Sequence, residues 1–317
     1  LSTEGAAFSF ARFKLSYRMQ IPEQPTRAPA IAIILLIATG LTLSGMDATA
    51  KYLSLEIPVL MVVWGRYFFH TALNFTLFTV RTRSFSFLKA RRPVFPFFRA
   101  ASLFLATSAM YLALTRMQLG DATSIQFLAP VLVTALSGLV LGEHVGPRRW
   151  AAVVFGFIGV LLVARPGSGV LGWAALLPLF TATMLAVYML MTKMISGKDD
   201  PAATTFYSTA LGALVLTIAV PFFWQSLSPV QWGLMIAMGA AGAVGHYLLI
   251  RAFSMADASM LAPFTYSQVV GAIIWGMIVF GDIPSGWTFA GALVVCSSGL
   301  YVWYRETRLK RKSAQLK

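Results

Sequence analysis

Apolar residues along this chain come in long continuous runs, broken by short turns that hold Gly, Pro and most of the charge. The runs do not alternate apolar with polar positions, so the pattern predicts helices rather than strands. Reading each run with its flanks gives ten spans, at 28–47, 57–80, 94–115, 121–142, 149–164, 170–193, 202–223, 230–252, 258–281 and 286–304. Most are long enough to cross a bilayer as a helix, and the run from Ala122 to Gly142 carries no charge at all. The span at 149–164 is short and reads as tilted or partly interfacial.

The stretch from Asp121 to Gly167 returns as a weaker copy from Asp257 to Glu306. Both copies hold an opening Asp-Ala, a Leu-Ala-Pro, a Gly-acid pair (Gly142-Glu143 and Gly281-Asp282) and a following run rich in small residues. Five spans separate the copies, so the two halves insert with opposite orientation. The expected fold is therefore an all-α integral membrane protein of ten transmembrane helices, two inverted five-helix repeats around a central cavity. The repeats occupy 28–167 and 170–304, between a basic tail at 1–27 and another at 305–317. The chain begins with Leu1, which makes Met19 a candidate start that the sequence leaves open.

Composition agrees: 58% of the 317 residues are hydrophobic, 11% are charged and the mean hydropathy is +0.74, so the bilayer must serve as solvent. The net charge of +14 would suit nucleic acid if it lay on one folded surface. Its placement instead sets orientation. With the N-terminus inside, every Lys and Arg falls on an inner segment except Lys51, Arg116 and Arg165, which fall outside, and Arg66, which lies within a span. Both termini are thus expected in the cytoplasm, with the protein multi-pass in a bacterial inner (plasma) membrane. The single cysteine, Cys296, excludes an internal disulfide and a cysteine zinc cluster.

The repeated hairpin resembles the EamA-type domain of the drug/metabolite transporter superfamily. The residues that carry the likeness are Pro130, Gly142-Glu143, Gly156 and Gly159 in the first half, and Pro263, Gly281-Asp282, Gly291 and Gly299 in the second. Asp282 replaces the usual Glu, and the Leu-Ala-Pro and Asp-Ala pairs align at offsets three residues apart. The resemblance implies peripheral fifth and tenth helices, with the others around a central cavity. It also implies substrates such as amino acids, S-adenosylmethionine, riboflavin or drugs.

Arg66, His70 and Asn74 recur every fourth residue in the second span and share one helix face. In lipid such a stripe must face protein or a water-filled cavity. Arg66 can meet an anionic or carbonyl group of a substrate, or pair with Asp47, Asp121 or backbone carbonyls and lock two helices. Tyr111, Gln126, Tyr188, Tyr247, Tyr266 and Gln268 lie on the helices that the resemblance puts around the cavity, where phenols and amides suit a flat organic molecule. Pro130 and Pro263 are expected to break their helices. Glu143 and Asp282 follow Gly at helix ends, as caps of the next helix or as gate residues. Every acid is expected in a tail, in a loop or at a span end, so proton coupling would fall to His70 or His246. Transport driven by the substrate gradient is the simpler expectation.

The function that follows is an inner-membrane permease moving a small organic metabolite, riboflavin-, S-adenosylmethionine- or amino-acid-like, by alternating access. The expected partners are that small molecule and the lipid bilayer, with no nucleic acid, metal or cofactor, and with a homodimer left open. The alternatives are an integral membrane enzyme or a non-transporting membrane sensor. An enzyme of that kind needs paired carboxylates or a His-acid pair at short spacing, and the only adjacent acids, Asp199-Asp200, stand in a loop beside Pro201.

Overall fold

The computed structural model describes residues 30–82, 94–141, 147–165, 172–195, 201–256 and 261–315, and these are almost wholly helical, without strands. The first half contains α1 (Ala30–Ser54), α2 (Val59–Thr82), α3 (Val94–Leu114), α4 (Leu119–Gln126), α5 (Ala129–Leu141) and α6 (Pro147–Ala164). The second contains α7 (Leu176–Ile195), α8 (Pro201–Ala219), α9 (Pro229–Met255), α10 (Ser267–Phe280) and α11 (Gly286–Gln315). Three short 3-10 turns, Gly172–Ala175, Val220–Phe223 and Ala262–Tyr266, extend α7, α8 and α10.

Among the described residues, 8 helices are long and apolar enough to cross a membrane. The rod Val59–Thr82 is not one of them, although it has the length, because Arg66, His70 and Asn74 lower its apolar character. In Pro147–Ala164 only Trp150–Ala164 is apolar, which is short for a span. The N-terminal tail, Met19 and Glu143 lie outside the described residues. At the other end, α11 continues as helix to Gln315, through the basic segment.

Both prolines expected to break helices stand at breaks. The rod from Leu119 is interrupted at Phe127-Leu128, and Pro130 lies in the first turn of α5, where a missing N–H leaves no hydrogen bond unmade. Pro263 lies in the 3-10 turn before α10. At the far end of α10 the backbone of Gly281 is left-handed, φ 66°, a conformation that costs glycine nothing. The chain reverses there, and the Asp282 N–H reaches back to the Gly276 carbonyl at 3.1 Å.

Packing interleaves the two halves. α1 lies against α9 and α10 of the second half, and α7 lies against α3 and α5 of the first. α2 packs on α8 and α9, α8 also touches α3, and α6 runs along α11. The α6–α11 crossing is close because glycines meet: a Cβ on Gly291 would strike the Gly159 carbonyl and Val163. Ser298 fixes the same crossing with a 2.5 Å bond to the Ala152 carbonyl. The core runs through the middle of the bundle, with Met61, Tyr67, Tyr111, Leu114, Ile125 and Met235 among its most buried side chains. Large apolar side chains on the outside, such as Val80, Leu214, Phe222 and Ile278, are widely exposed, as a lipid-facing surface requires.

Three charges lie deeper than the sequence reading puts them. Asp47 and Lys51, read as the end of the first span and the loop beyond it, belong to α1, which continues to Ser54; both are buried. Arg99, counted with the inner segment, is buried within α3. A charge in an apolar run reads as an end, but here each has a partner on another element, and that partnership lets the helix go on.

Candidate functional site

The site grows from the polar stripe of α2. Arg66 is half-buried, and its Nη1 donates to Thr107 Oγ1 at 3.3 Å and to the Tyr111 hydroxyl at 3.2 Å, both on α3. The guanidinium also lies 5.4 Å from the Tyr111 ring centroid and 5.8 Å from that of Tyr67. Tyr67 and Thr107 share a 2.9 Å hydrogen bond, which closes a knot of four side chains between α2 and α3.

Asp47 of α1 faces this knot. Its carboxyl lies in the field of Arg66 and close to the Gln268 side chain of α10. An arginine within a bilayer is costly unless compensated, and a nearby carboxyl with several hydroxyls provides that compensation. Asp47 was thus one of the partners weighed for Arg66, although its burial inside a helix was not visible in the sequence.

One turn beyond Arg66, His70 is 2% exposed and its ring centroid stands 5.3 Å from that of His246 on α9. The approach is possible because α9 carries glycine there. A Cβ on Gly242 would sit 2.9 Å from His70 Nδ1, and one on Gly239 would strike Phe69 and the His70 backbone. His246 Nδ1 donates to the Gly242 carbonyl at 2.8 Å. Asn74, a further turn along, is 7% exposed.

Of the predicted residues, the fold brings together Arg66, His70, Asn74, Tyr111, His246 and Gln268. It does not bring in Tyr247, which is 54% exposed on the outside of α9. Tyr266 packs against Phe127 and presses its hydroxyl on Gly299. Gln126 is half-buried at the end of α4. Tyr188 belongs to a second cluster around Arg99, which donates to Thr192 Oγ1 at 2.6 Å, to Ser208 Oγ at 2.5 Å and to the Tyr188 hydroxyl at 2.6 Å. Asp282 takes the Lys51 ammonium at 2.6 Å, while the first turn of α11 is closed by Ser285, whose hydroxyl accepts from the Thr288 N–H. Close by, Thr288 Oγ1 donates to Asp121 Oδ1 at 2.5 Å. Thr107, Tyr67 and Arg99 were missed by sequence reading. For Arg99 the signal was present, since it follows Pro93 and Pro96 inside an apolar run.

A helical bundle with an apolar exterior, and with arginine, histidine and carboxyl groups held between its helices, defines a multi-pass membrane protein with an internal polar site. The chain belongs to the EamA-like transporter family, whose model matches it twice, over residues 30–165 and 172–304. It is similar to a riboflavin transporter of Rhizobium johnstonii, 28% identical over 92% of this chain and 96% of that one. It is also similar to an S-adenosylmethionine uptake transporter of Rickettsia conorii, 26% identical over 84% and 90% of the two chains. A crystal structure 17% identical to it superposes with a TM-score of 0.61, covering 89% of this chain and 98% of that one, and this likeness shows the fold alone.

Proposed function

We propose that this protein is an inner-membrane permease, not an enzyme, and that it moves a small organic metabolite by alternating access. The observation that carries this reading is the buried seam at Arg66, where α1, α2 and α3 of the first half meet α9 and α10 of the second around a half-buried guanidinium. Such a seam at the middle of a bundle is where a transporter of paired halves binds its cargo. The substrates that the relatives' names print, riboflavin and S-adenosylmethionine, are the first candidates.

The finer architecture belongs to the same proposal: ten spans in two inverted repeats at 28–167 and 170–304, with both termini in the cytoplasm. The family model's two matches support the division. The packing supports the inversion, since α1 reaches into the second half as α7 reaches into the first, and α6 pairs with α11. The distribution of Lys and Arg supports the orientation. A homodimer remains part of the proposal.

The test is uptake of labelled riboflavin, S-adenosylmethionine and amino acids by proteoliposomes holding the purified chain. Saturable uptake of one of them, lost in Arg66→Ala with the variant still folded, is the expected result. Uptake of none above empty liposomes sinks the reading.

A further inference from the structure

α11 does not stop where its apolar span stops. The span Gly286–Arg305 has 20 residues, which makes about 30 Å of helix, the thickness of a bilayer's hydrocarbon core, while the helix itself runs on to Gln315. Arg305 therefore stands at the edge of the core, and Arg308 about 4.5 Å further on, inside a headgroup layer about 5–8 Å deep. Leu293, Ser297, Tyr301, Tyr304 and Arg308 are all exposed and recur every third or fourth residue, so they form one stripe along the helix. Arg305 lies beside the stripe, one turn from Tyr301, whereas Glu306 comes about 100° further round by register. The Arg308 guanidinium lies 5.5 Å from the Tyr304 ring centroid, so this side chain turns back toward the membrane, the direction in which the Cα–Cβ bonds of a helix tilt.

The neighbouring helix adds a second basic group at the same depth. Gly291 meets Gly159 and Ser298 meets Ala152, an antiparallel register that sets Trp150 level with Leu300 and Arg148 level with Val302. Both Arg148 and Trp150 are exposed. This end of the α6–α11 pair thus holds three arginines, Arg148, Arg305 and Arg308, at one membrane boundary, with Trp150, Tyr301 and Tyr304 at the level where amphipathic rings settle. We infer that it binds an anionic phospholipid, with the phosphate among the arginines and an acyl chain along the α11 stripe. A guanidinium fork matches two phosphate oxygens, and the lipid's net negative charge meets a cationic surface. A second copy of the chain in the same orientation fits worse, because a two-fold axis along this face would set Arg308 against Arg308. A zwitterionic lipid offers the same phosphate but brings an ammonium to the arginines. In the orientation proposed above, the lipid belongs to the cytoplasmic leaflet. The site is separate from the seam at Arg66 and does not depend on which metabolite is carried.

The experiment titrates the full chain in detergent micelles with dioleoylphosphatidylglycerol or dioleoylphosphatidylcholine and reads, by native mass spectrometry, the fraction that carries one lipid. The expected result is binding of phosphatidylglycerol at least about tenfold tighter than that of phosphatidylcholine. Arg305→Gln together with Arg308→Gln is expected to weaken phosphatidylglycerol by about thirtyfold. Lys310→Gln together with Lys317→Gln removes the same charge from the same tail but off the stripe, and is expected to change binding by less than about threefold. Equal binding of the two lipids by the wild-type chain overturns the inference without any variant. So does a lysine pair as damaging as the arginine pair, which would make the effect one of net charge rather than of a site. Displacement of the lipid by excess inorganic phosphate, or a lipid-free dimer as the dominant species, would overturn the lipid as occupant. None of these outcomes touches the permease reading, which stands or falls on uptake in proteoliposomes.

Discussion

The pair Lys51–Asp282 joins the end of α1 to the turn after α10, and its two partners are not equally buried. The ammonium and carboxylate meet at 2.6 Å, with side-chain exposures of 9% for Lys51 and 21% for Asp282. An exposed pair contributes about 0.2–1 kcal/mol, and removing one partner of a fully buried pair costs about 3–5 kcal/mol. Lys51→Met leaves a carboxylate that can gather water at its exposed side, for a cost of about 1–2 kcal/mol. Asp282→Asn leaves an ammonium that cannot. The Phe280 ring, 4.4 Å from Lys51 Nζ, and the nearby Asp121 offset part of that loss, so the cost is about 2–3 kcal/mol. The double variant strands no charge and should cost less than the two singles together, with a coupling of about 1–2 kcal/mol. Reversible SDS titration of the four proteins in mixed micelles measures these differences. The reasoning fails if the single effects add to within about 0.5 kcal/mol, or if Lys51→Met is the more damaging change.

Three further changes probe the site and the scaffold. Arg66→Lys keeps the charge but cannot span Thr107 and Tyr111 with a fixed fork, so transport in proteoliposomes should fall about tenfold while the melting temperature barely moves. Gly242→Val crowds His70 and Met46 together and should cost about 1–3 kcal/mol with loss of transport; retained transport would show that the ring is free to move. Gly291→Val strikes the Gly159 carbonyl at the α6–α11 crossing, remote from Arg66. It should lower the melting temperature by an amount equivalent to about 1–3 kcal/mol while the Michaelis constant of the remaining folded protein stays unchanged.

The helices were legible because each is written locally, as a continuous apolar run with punctuation. The stripe Arg66, His70 and Asn74 was legible for the same reason, since a polar residue every fourth position in lipid has to face inward. What the sequence concealed was partnership. Lys51 looks like a loop residue because its acid lies 231 positions away, and Arg99 looks like part of a basic inner segment because Tyr188, Thr192 and Ser208 belong to the other half. Tyr247 shows the converse error. It lies on a helix expected around the cavity, as Tyr111 does, but Tyr111 is fully buried beside Arg66 while Tyr247 faces outward. Membership of a helix does not fix the way a residue faces, because each step along the chain turns the side chain by about 100° around the axis.

The polar bonds divide in a way that bears on motion. Those between Lys51 and Asp282, Asp121 and Thr288, and Arg99 and the Tyr188–Ser208 group all cross from one half to the other. The knot of Arg66, Tyr67, Thr107 and Tyr111 lies wholly within the first half. If the halves rock against each other as proposed, the crossing bonds are the ones that exchange, whereas the knot travels as a unit. Arg66 would then keep hold of a substrate group throughout the cycle, while His246 and Gln268, supplied by the second half, approach and withdraw. Affinity would reside mainly on the first half, and the second would decide when the site is complete. Substitutions at Arg66 should accordingly weaken binding in every state, and substitutions at His246 or Gln268 should alter the rate of turnover more than the binding of substrate at equilibrium.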